Sequence, residues 1–282
     1  MKKHFVSLCL VFIVGQLSAQ EMSFMTYNIR YANVNDGDNQ WEKRKEYLSD
    51  QIRFYEPDVI GIQEGLELQV NFLNARLSDY EFFGVGRNDG KNKGEYCAIF
   101  YKGNKFDVLK QDTFWLSEHP EQISVGWDAA MERICTYGLF LNKKTGKKFW
   151  VFNTHFDHIG VEAREKSAAL IAQKIREINK GNFPVILMGD FNLNDQSKAI
   201  TYLSGEFNDS RMVSMSRPFG PFGTFTGFAF QEPVKDRIDY IFCSKEDTMV
   251  KKYAVLTDSR DQKYPSDHFP VFIQVEFNED RR

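Results

Sequence analysis

The sequence predicts an α/β fold in which two stacked, mixed β-sheets are flanked by helices. Three observations lead there. A series of short apolar runs reads as strands, and several are apolar on successive residues, the mark of strands buried on both faces. Helical stripes lie between some of these runs, so strand–helix–strand units are present. Two tight turns, Tyr101-Lys-Gly-Asn104 and Lys143-Lys-Thr-Gly146, join other runs as hairpins. One sheet would not bury so many strands comfortably, which is the argument for two.

The elements follow in order. Strands are expected over residues 22–29 and 59–63. Between them Trp41, Leu48, Ile52 and Tyr55 keep helical spacing, stopped by Pro57. Leu66, Val70, Leu73 and Leu77 make a second helical stripe. Strands follow over residues 96–101, 137–141 and 149–154. A third stripe, Ala168, Ile171, Ile175 and Ile178, ends at Gly181 and Pro184. Strands over residues 185–188, 238–243 and 269–277 complete the set. Asp195 is read as the cap of a helix opening at Gln196.

Composition bounds the function. At 42% hydrophobic and 27% charged, the 282 residues are globular rather than disordered, and 26 Phe predict a Phe-rich core. The net charge is -3 and no Lys/Arg-rich run occurs, which weakens electrostatic binding to duplex DNA. It leaves room for an enzyme that grips phosphate locally through a metal and a few Arg or His. Lys2 and Lys3, the apolar residues 5–14 and Leu17-Ser-Ala19 read as a cleaved signal peptide over residues 1–19. The apolar run is short of the ~20 residues a bilayer span needs. One domain is expected over residues 20–282, exported to the periplasm or the extracellular space, with no stable membrane anchor, as a monomer. Removing the signal leaves Cys97, Cys135 and Cys243, each in an apolar run, and these are expected as buried free thiols.

Chemistry concentrates at strand ends. Phe24-Met-Thr-Tyr-Asn28 ends in an amide, with Arg30 close behind. Val59-Ile-Gly-Ile-Gln-Glu64 ends in a carboxylate, and Phe149-Trp-Val-Phe-Asn-Thr-His155 in an imidazole. Val185-Ile-Leu-Met-Gly-Asp-Phe-Asn192 ends in Asp190 and Asn192. Arg237-Ile-Asp239 and Ser266-Asp-His268 each open a strand. A lone strand-end Asp is more often a turn or cap residue. Six such ends delivered to one edge of the core point to a ligand site. Carboxylates and amides without Cys favour a hard cation, Mg²⁺ or Mn²⁺. Two histidines among them suit phosphate contact and proton transfer, so attack of water on phosphorus is the expected chemistry.

In that order, Thr-Tyr-Asn28-Ile-Arg, Ile-Gln-Glu64, Asn-Thr-His155, Gly-Asp190-Phe-Asn192, Arg-Ile-Asp239-Tyr-Ile-Phe and Ser-Asp267-His268-Phe-Pro resemble the endonuclease/exonuclease/phosphatase superfamily. The resemblance covers residues 22–277. It implies a DNase I-like four-layer α/β sandwich and metal-dependent phosphoester hydrolysis. Glu64 resembles the main metal ligand, with Asn28 and Asp267 at or near the ion. Asp190 resembles the group that orients and deprotonates the attacking water. Asn192 would hold the phosphate or the nucleophile. His268 would contact the phosphate, fixed by Asp239, and His155 would contact phosphate or protonate the leaving oxygen. Arg30 matches DNase I-like members, whereas the exonuclease III branch has an acid there, leaving Arg30 free to bind phosphate. Asp236 is read as a loop residue beside the functional Asp239. Tyr96 and Arg133 sit where the resemblance places active-site support, with packing or salt bridging as the other reading; His158 and Arg164 are assigned no role, and His119 is read as a loop residue.

The loop Arg217-Pro-Phe-Gly-Pro-Phe-Gly-Thr-Phe-Thr-Gly-Phe228 carries four Phe among Gly and Pro. Its rings, with Phe222, Phe225 and Phe228 foremost, would either stack on substrate beside the site or plug the core. The expected substrate is a phosphoester, either nucleic acid or a small phosphorylated molecule. A sphingomyelinase-like enzyme or small-molecule phosphatase is the alternative. A non-catalytic phosphate-ligand binding protein is the distant one.

Overall fold

The computed structural model describes residues 21–277; the segment read as a signal peptide lies outside them. In chain order the elements are β1 (Met22–Asn28), α1 (Trp41–Tyr55), β2 (Val59–Gln63), α2 (Glu67–Arg76), β3 (Tyr80–Phe83), β4 (Ile99–Lys102), β5 (Phe106–Trp115), β6 (Ile134–Asn142) and β7 (Lys148–His155). They continue as α3 (Val161–Ile178), β8 (Val185–Asp190), α4 (Lys198–Glu206), β9 (Asn208–Asp209), α5 (Ser210–Val213), β10 (Asp239–Cys243), β11 (Thr248–Val255) and β12 (Val271–Phe277). One six-stranded sheet has the order β11-β12-β1-β2-β4-β3, and the other β5-β6-β7-β8-β10-β9. Both are mixed, since β1 and β2 run parallel, as do β7 and β8.

The successive apolar residues serve two faces. Phe24, Phe149, Met188, Ile241 and Val271 fill the space between the sheets. Their sequence neighbours face outward. Met25, Tyr27 and Ile60 meet Leu48, Ile52 and Leu73 of α1 and α2, while Leu187 and Phe242 meet Ala168, Ile171 and Leu203 of α3 and α4. The result is helix, sheet, sheet, helix. Each fully buried Leu, Ile or Phe contributes roughly 1.5–3 kcal/mol. The core is Phe-rich, with Phe24, Phe100, Phe106, Phe140, Phe149, Phe152, Phe156 and Phe191 among its largest fully buried side chains.

Register brings the polar strand ends together. In the parallel pairs Asn28 stands opposite Gln63, and His155 opposite Asp190. Antiparallel β10 sets Asp239 opposite Asp190. Antiparallel β12 pairs with β1, and Ser266 just before it donates its hydroxyl to the Asn28 carbonyl at 2.7 Å. The two sheets are also clamped to each other. Gln63 Nε2 donates to Asn153 Oδ1 at 2.6 Å, and Asn153 Nδ2 donates to the Ile62 and Ala98 carbonyls, both at 2.9 Å. Gly61 makes room for this: a Cβ there would lie 2.7 Å from Asn153 Cγ.

Several expectations are corrected. The 101–104 turn is not a hairpin, because β4 pairs with β2 and β3 while β5 pairs with β6; the turn carries the chain from one sheet to the other. The 143–146 turn does join the antiparallel pair β6 and β7. Helix α4 is capped by Ser197, whose hydroxyl accepts from Ile200 N, and not by Asp195. Strands β3, β5 and β11 gave no apolar run to read. β5 is an edge strand whose middle is exposed, so charged and polar residues occupy it. β11 is also an edge and carries a bulge between Val250 and Lys252.

Candidate active site

The converging ends open into a cavity of about 460 Å³. Arg30, Glu64, His155, Asp190, Asn192, Phe225, Asp267 and His268 all line it. Three of these residues hold left-handed backbone, Arg30 at φ 54°, Glu64 at 64° and Asn192 at 50°. Such a turn costs a non-glycine residue roughly 1–2 kcal/mol, and it swings each side chain off its strand into the cavity. Gly189 lets β8 approach β7 just before Asp190, since a Cβ there would lie 2.1 Å from the Thr154 carbonyl oxygen.

Asn28 lies at the floor. Its Nδ2 donates to Glu64 Oε1 at 3.0 Å and to Asp190 Oδ2 at 2.8 Å, and its Oδ1 accepts from Arg30 N. It therefore holds two carboxylates from different sheets side by side. Glu64 Oε2 accepts from Tyr31 N at 3.0 Å. Arg30 forks onto Asp36, with both contacts at 3.1 Å, and lies 3.7 Å from Asp267. Burial, then the like charge of Glu64, pushes the Asp267 carboxyl up.

The two imidazoles are set to different charge states. His268 Nδ1 bonds Asp239 Oδ2 at 2.9 Å, and its Nε2 lies 3.8 Å from Asp190 Oδ2. Burial opposes its charge, but Asp239 and Asp190 outweigh burial and hold it well above the ordinary histidine value. His155 Nε2 meets Asn192 Nδ2 at 3.1 Å and lies 3.5 Å from Asp190 Oδ2. Burial, then Arg133 and Arg87, holds His155 well below the ordinary value, so it is neutral. Since Asn192 Nδ2 is a donor, the His155 proton sits on Nδ1, 3.8 Å from Glu95 Oε2. Burial, then Asp239, pushes Asp190 up to about 7. Asp190 thus sits between a neutral and a charged imidazole.

The donor set fits a hard divalent cation. Glu64, His155 and Asp190 place ligand atoms within 4.8 Å of one another, as do Asp190, Asp239 and His268. Asp267 adds oxygens, and no thiol lines the cavity.

The aromatic loop separates into parts. Its backbone docks on the site: Thr226 N donates to the Asp267 carbonyl and Phe269 N to the Thr224 carbonyl. Phe225 lines the cavity and meets the His268 ring edge-on at 5.1 Å. Phe222 and Phe228 do not line it. Phe222 lies against Arg211, and Phe228 packs on Arg44, whose guanidinium holds the Ile29, Arg30 and Pro265 carbonyls. Asp236 is exposed and its carbonyl tethers Thr224 and Phe225. Arg133 and His158 line the cavity, whereas Tyr96 is buried with its hydroxyl on the Lys91 carbonyl. Arg164 holds the Asp157 carbonyl, and His119 is an exposed loop residue. Arg87, Glu95 and Met131 also line the cavity and gave no sequence signal beyond charges bracketing a Gly/Asn-rich stretch. Cys97, Cys135 and Cys243 are buried and unpaired.

Comparison with known proteins identifies the family. The model of the Endonuclease/Exonuclease/phosphatase family matches residues 25–268. A mannosyl-6-phosphatase of Bacteroides thetaiotaomicron is 39% identical, with TM-score 0.85 over 92% of this chain and 100% of that one. Another family protein from the same species is 38% identical, with TM-score 0.87 over 92% of this chain and 99% of that one. An uncharacterized protein of Acanthamoeba polyphaga mimivirus is 31% identical over 84% of this chain and 92% of its own length. The chain belongs to the endonuclease/exonuclease/phosphatase family, whose members are phosphoester hydrolases.

Proposed function

We propose that the chain is an exported, Mg²⁺- or Mn²⁺-dependent phosphomonoesterase acting on a small phosphorylated molecule. One observation carries the reading: Asp190 faces an open cavity while within 4 Å of Asn28, His155 and His268. Water resting on Asp190 is held and deprotonated for in-line attack on phosphorus. Glu64, with Asp267 nearby, would hold a divalent cation, which when bound would supply Lewis-acid charge to the phosphoryl oxygens. Charged His268 donates to those oxygens, Asp239 keeps its ring oriented, and Asn192, whose Nδ2 serves His155 and the Phe156 carbonyl, holds the His155 ring in place. His155 donates its proton toward the leaving oxygen, and Arg30 adds positive charge at the rim.

Three facts support a small substrate. The cavity is of small-molecule size, the chain carries a net charge of -3, and a 39% identical relative is named a mannosyl-6-phosphatase. Arg30, Glu64, Arg87, Glu95 and Arg133 put charge on the cavity walls, which favours a polar leaving group over a lipid one. Phe225, 40% exposed beside His268, favours a second reading, a nuclease that stacks one base on that ring. Export rests on the Lys2-Lys3 and apolar N-terminal pattern.

The test is hydrolysis of a phosphomonoester and a phosphodiester after EDTA treatment, with Mg²⁺ or Mn²⁺ restored. The metal should restore monoester cleavage, and Asp190→Ala should lower kcat by about 10²–10⁴-fold. Wild type that cleaves neither substrate, or a variant at full rate, refutes the assignment. Preference for the diester moves it to the nuclease reading. Mass spectrometry of the exported protein should find Gln20 at its start; an intact Met1 there would refute cleavage.

A further inference from the structure

One wall of the cavity carries none of the reacting groups named above. It is built from Arg87 and Glu95 in the loop between β3 and β4, Met131 and Arg133 before β6, and His158 after β7. Arg87 forks onto Glu95, with Nη1–Oε2 at 2.7 Å and Nη2–Oε1 at 3.0 Å. Arg133 Nε lies 3.4 Å from Asp157 Oδ2, and its Nη2 lies 3.0 Å from His158 Nδ1. Each guanidinium keeps one buried nitrogen with no partner, Arg87 Nε and Arg133 Nη1. Arg133 is only 4% exposed. Buried donors are normally satisfied, so two orphans in one cavity wall mark a place where a ligand completes the network.

The wall is rigid before any ligand arrives. The Arg87 carbonyl accepts from the Trp115 indole at 2.8 Å, and Arg87 N donates to the Glu95 carbonyl at 3.1 Å. It also lies close to the chemistry. Glu95 Oε2 is 3.8 Å from His155 Nδ1, and His155 Nε2 is 3.5 Å from Asp190. The wall therefore begins one imidazole away from Asp190, on the side of His155.

Charge decides what the wall takes. Arg87 is neutralised by Glu95, and Arg133 faces Asp157. What remains is a set of N–H donors beside carboxylate acceptors, with no net positive charge. A second phosphate or carboxylate would meet Glu95, and an apolar group would leave the donors unpaired. Hydroxyl groups donate and accept at once, and neighbouring hydroxyls on a ring match such a fork. We infer that Arg87, Glu95 and Arg133 form the leaving-group pocket and select phosphomonoesters whose leaving group is a compact polyhydroxylated ring, a sugar carrying no second anion. This rests on the phosphomonoesterase reading above.

The test is the ratio of kcat/KM for glucose 6-phosphate or mannose 6-phosphate to that for n-hexyl phosphate, whose leaving group is also an alkoxide and depends equally on His155. Damage to the hydrolytic groups then lowers both terms and keeps the ratio, whereas damage to this wall lowers the ratio itself. The wild-type ratio should exceed one, and Arg87→Met and Glu95→Gln should each lower it about tenfold or more. Glu95→Gln keeps the shape of the wall if Arg87→Met fails to fold. It also uncovers the Arg87 charge, so activity on glucose 1,6-bisphosphate relative to glucose 6-phosphate should rise. Unchanged ratios in both variants, no rise with the bisphosphate, or a wild-type preference for the bisphosphate would overturn the inference while leaving the phosphomonoesterase reading intact. Wild type that cleaves no monoester at all would overturn that reading instead.

Discussion

Replacing Asn153 with Ala tests the clamp that aligns the two sheets. Asn153 is fully buried and makes three hydrogen bonds across the interface, to Gln63, Ile62 and Ala98. Each such bond contributes about 1 kcal/mol net, so the variant should lose about 3 kcal/mol of stability. In a protein of this size each kcal/mol shifts Tm by about 2–4 °C, giving a fall of about 6–12 °C. The carbonyls that lose Asn153 are not all orphaned, because Ala98 O still accepts from Ile62 N and Gln63 Nε2 keeps Thr26 and Gly61. That argues against a larger loss. Asn153→Asp should be worse than Ala, since it puts carboxylate oxygen against the two carbonyls that Nδ2 now serves. The assay is thermal unfolding by circular dichroism, with kcat measured well below Tm. Gln63 directly precedes Glu64, so kcat should also fall. A Tm within about 2 °C of wild type, or Asp more stable than Ala, would refute the reasoning.

Three further outcomes are expected. Asp239→Asn keeps shape but removes the charge holding the His268 ring, so kcat should fall about 10–100-fold with little change in KM; unchanged kcat would remove Asp239 from its orienting role. Burial pushes the Cys97 thiol up to about 12 and raises Cys135 and Cys243 as well, so a disulfide reagent at pH 8 should label none of these three thiols in the native protein. All three should react in guanidinium, and prompt native labelling would contradict the packing. Burial favours the neutral form of Asp157, but N–H donors from Gly160, Ile159 and Ala130 and the Arg133 guanidinium prevail and hold it below the usual carboxylate value. A depressed folded value means stability present above the unfolded value near ~3.9 and lost as pH falls through the folded one. Urea midpoints should therefore separate wild type from Asp157→Asn most at pH 7 and converge in acid; a gap that widens in acid would reverse the sign.

The sequence was most legible where burial and chemistry meet on one strand. Apolar runs buried on both faces marked β1, β2, β7, β8 and β10, and their polar ends marked Asn28, Glu64, His155, Asp190 and Asp239. Edge strands β5 and β11 were illegible because solvent takes their outer positions, and charge there erases the pattern. The Arg87–Glu95 wall was illegible for another reason. Its residues sit on a loop without periodicity, and only the fork between them, seen in three dimensions, sets them apart from solvated charges. The aromatic loop misled in part: counting rings could not tell that only Phe225 turns toward His268 while Phe222 and Phe228 find arginines elsewhere.

The pairing of β1 with β12 has a consequence for how the protein is made. Among the described strands the first, β1, finds its neighbour on one side only in the last, β12, and Asp267 and His268 come shortly before β12. A nascent chain therefore carries Glu64 and Asp190 long before it can surround a phosphate. Hydrolytic power waits until β12 pairs with β1 and carries Asp267 and His268 to the site, so a chain that has not yet placed β12 is inert toward phosphoesters.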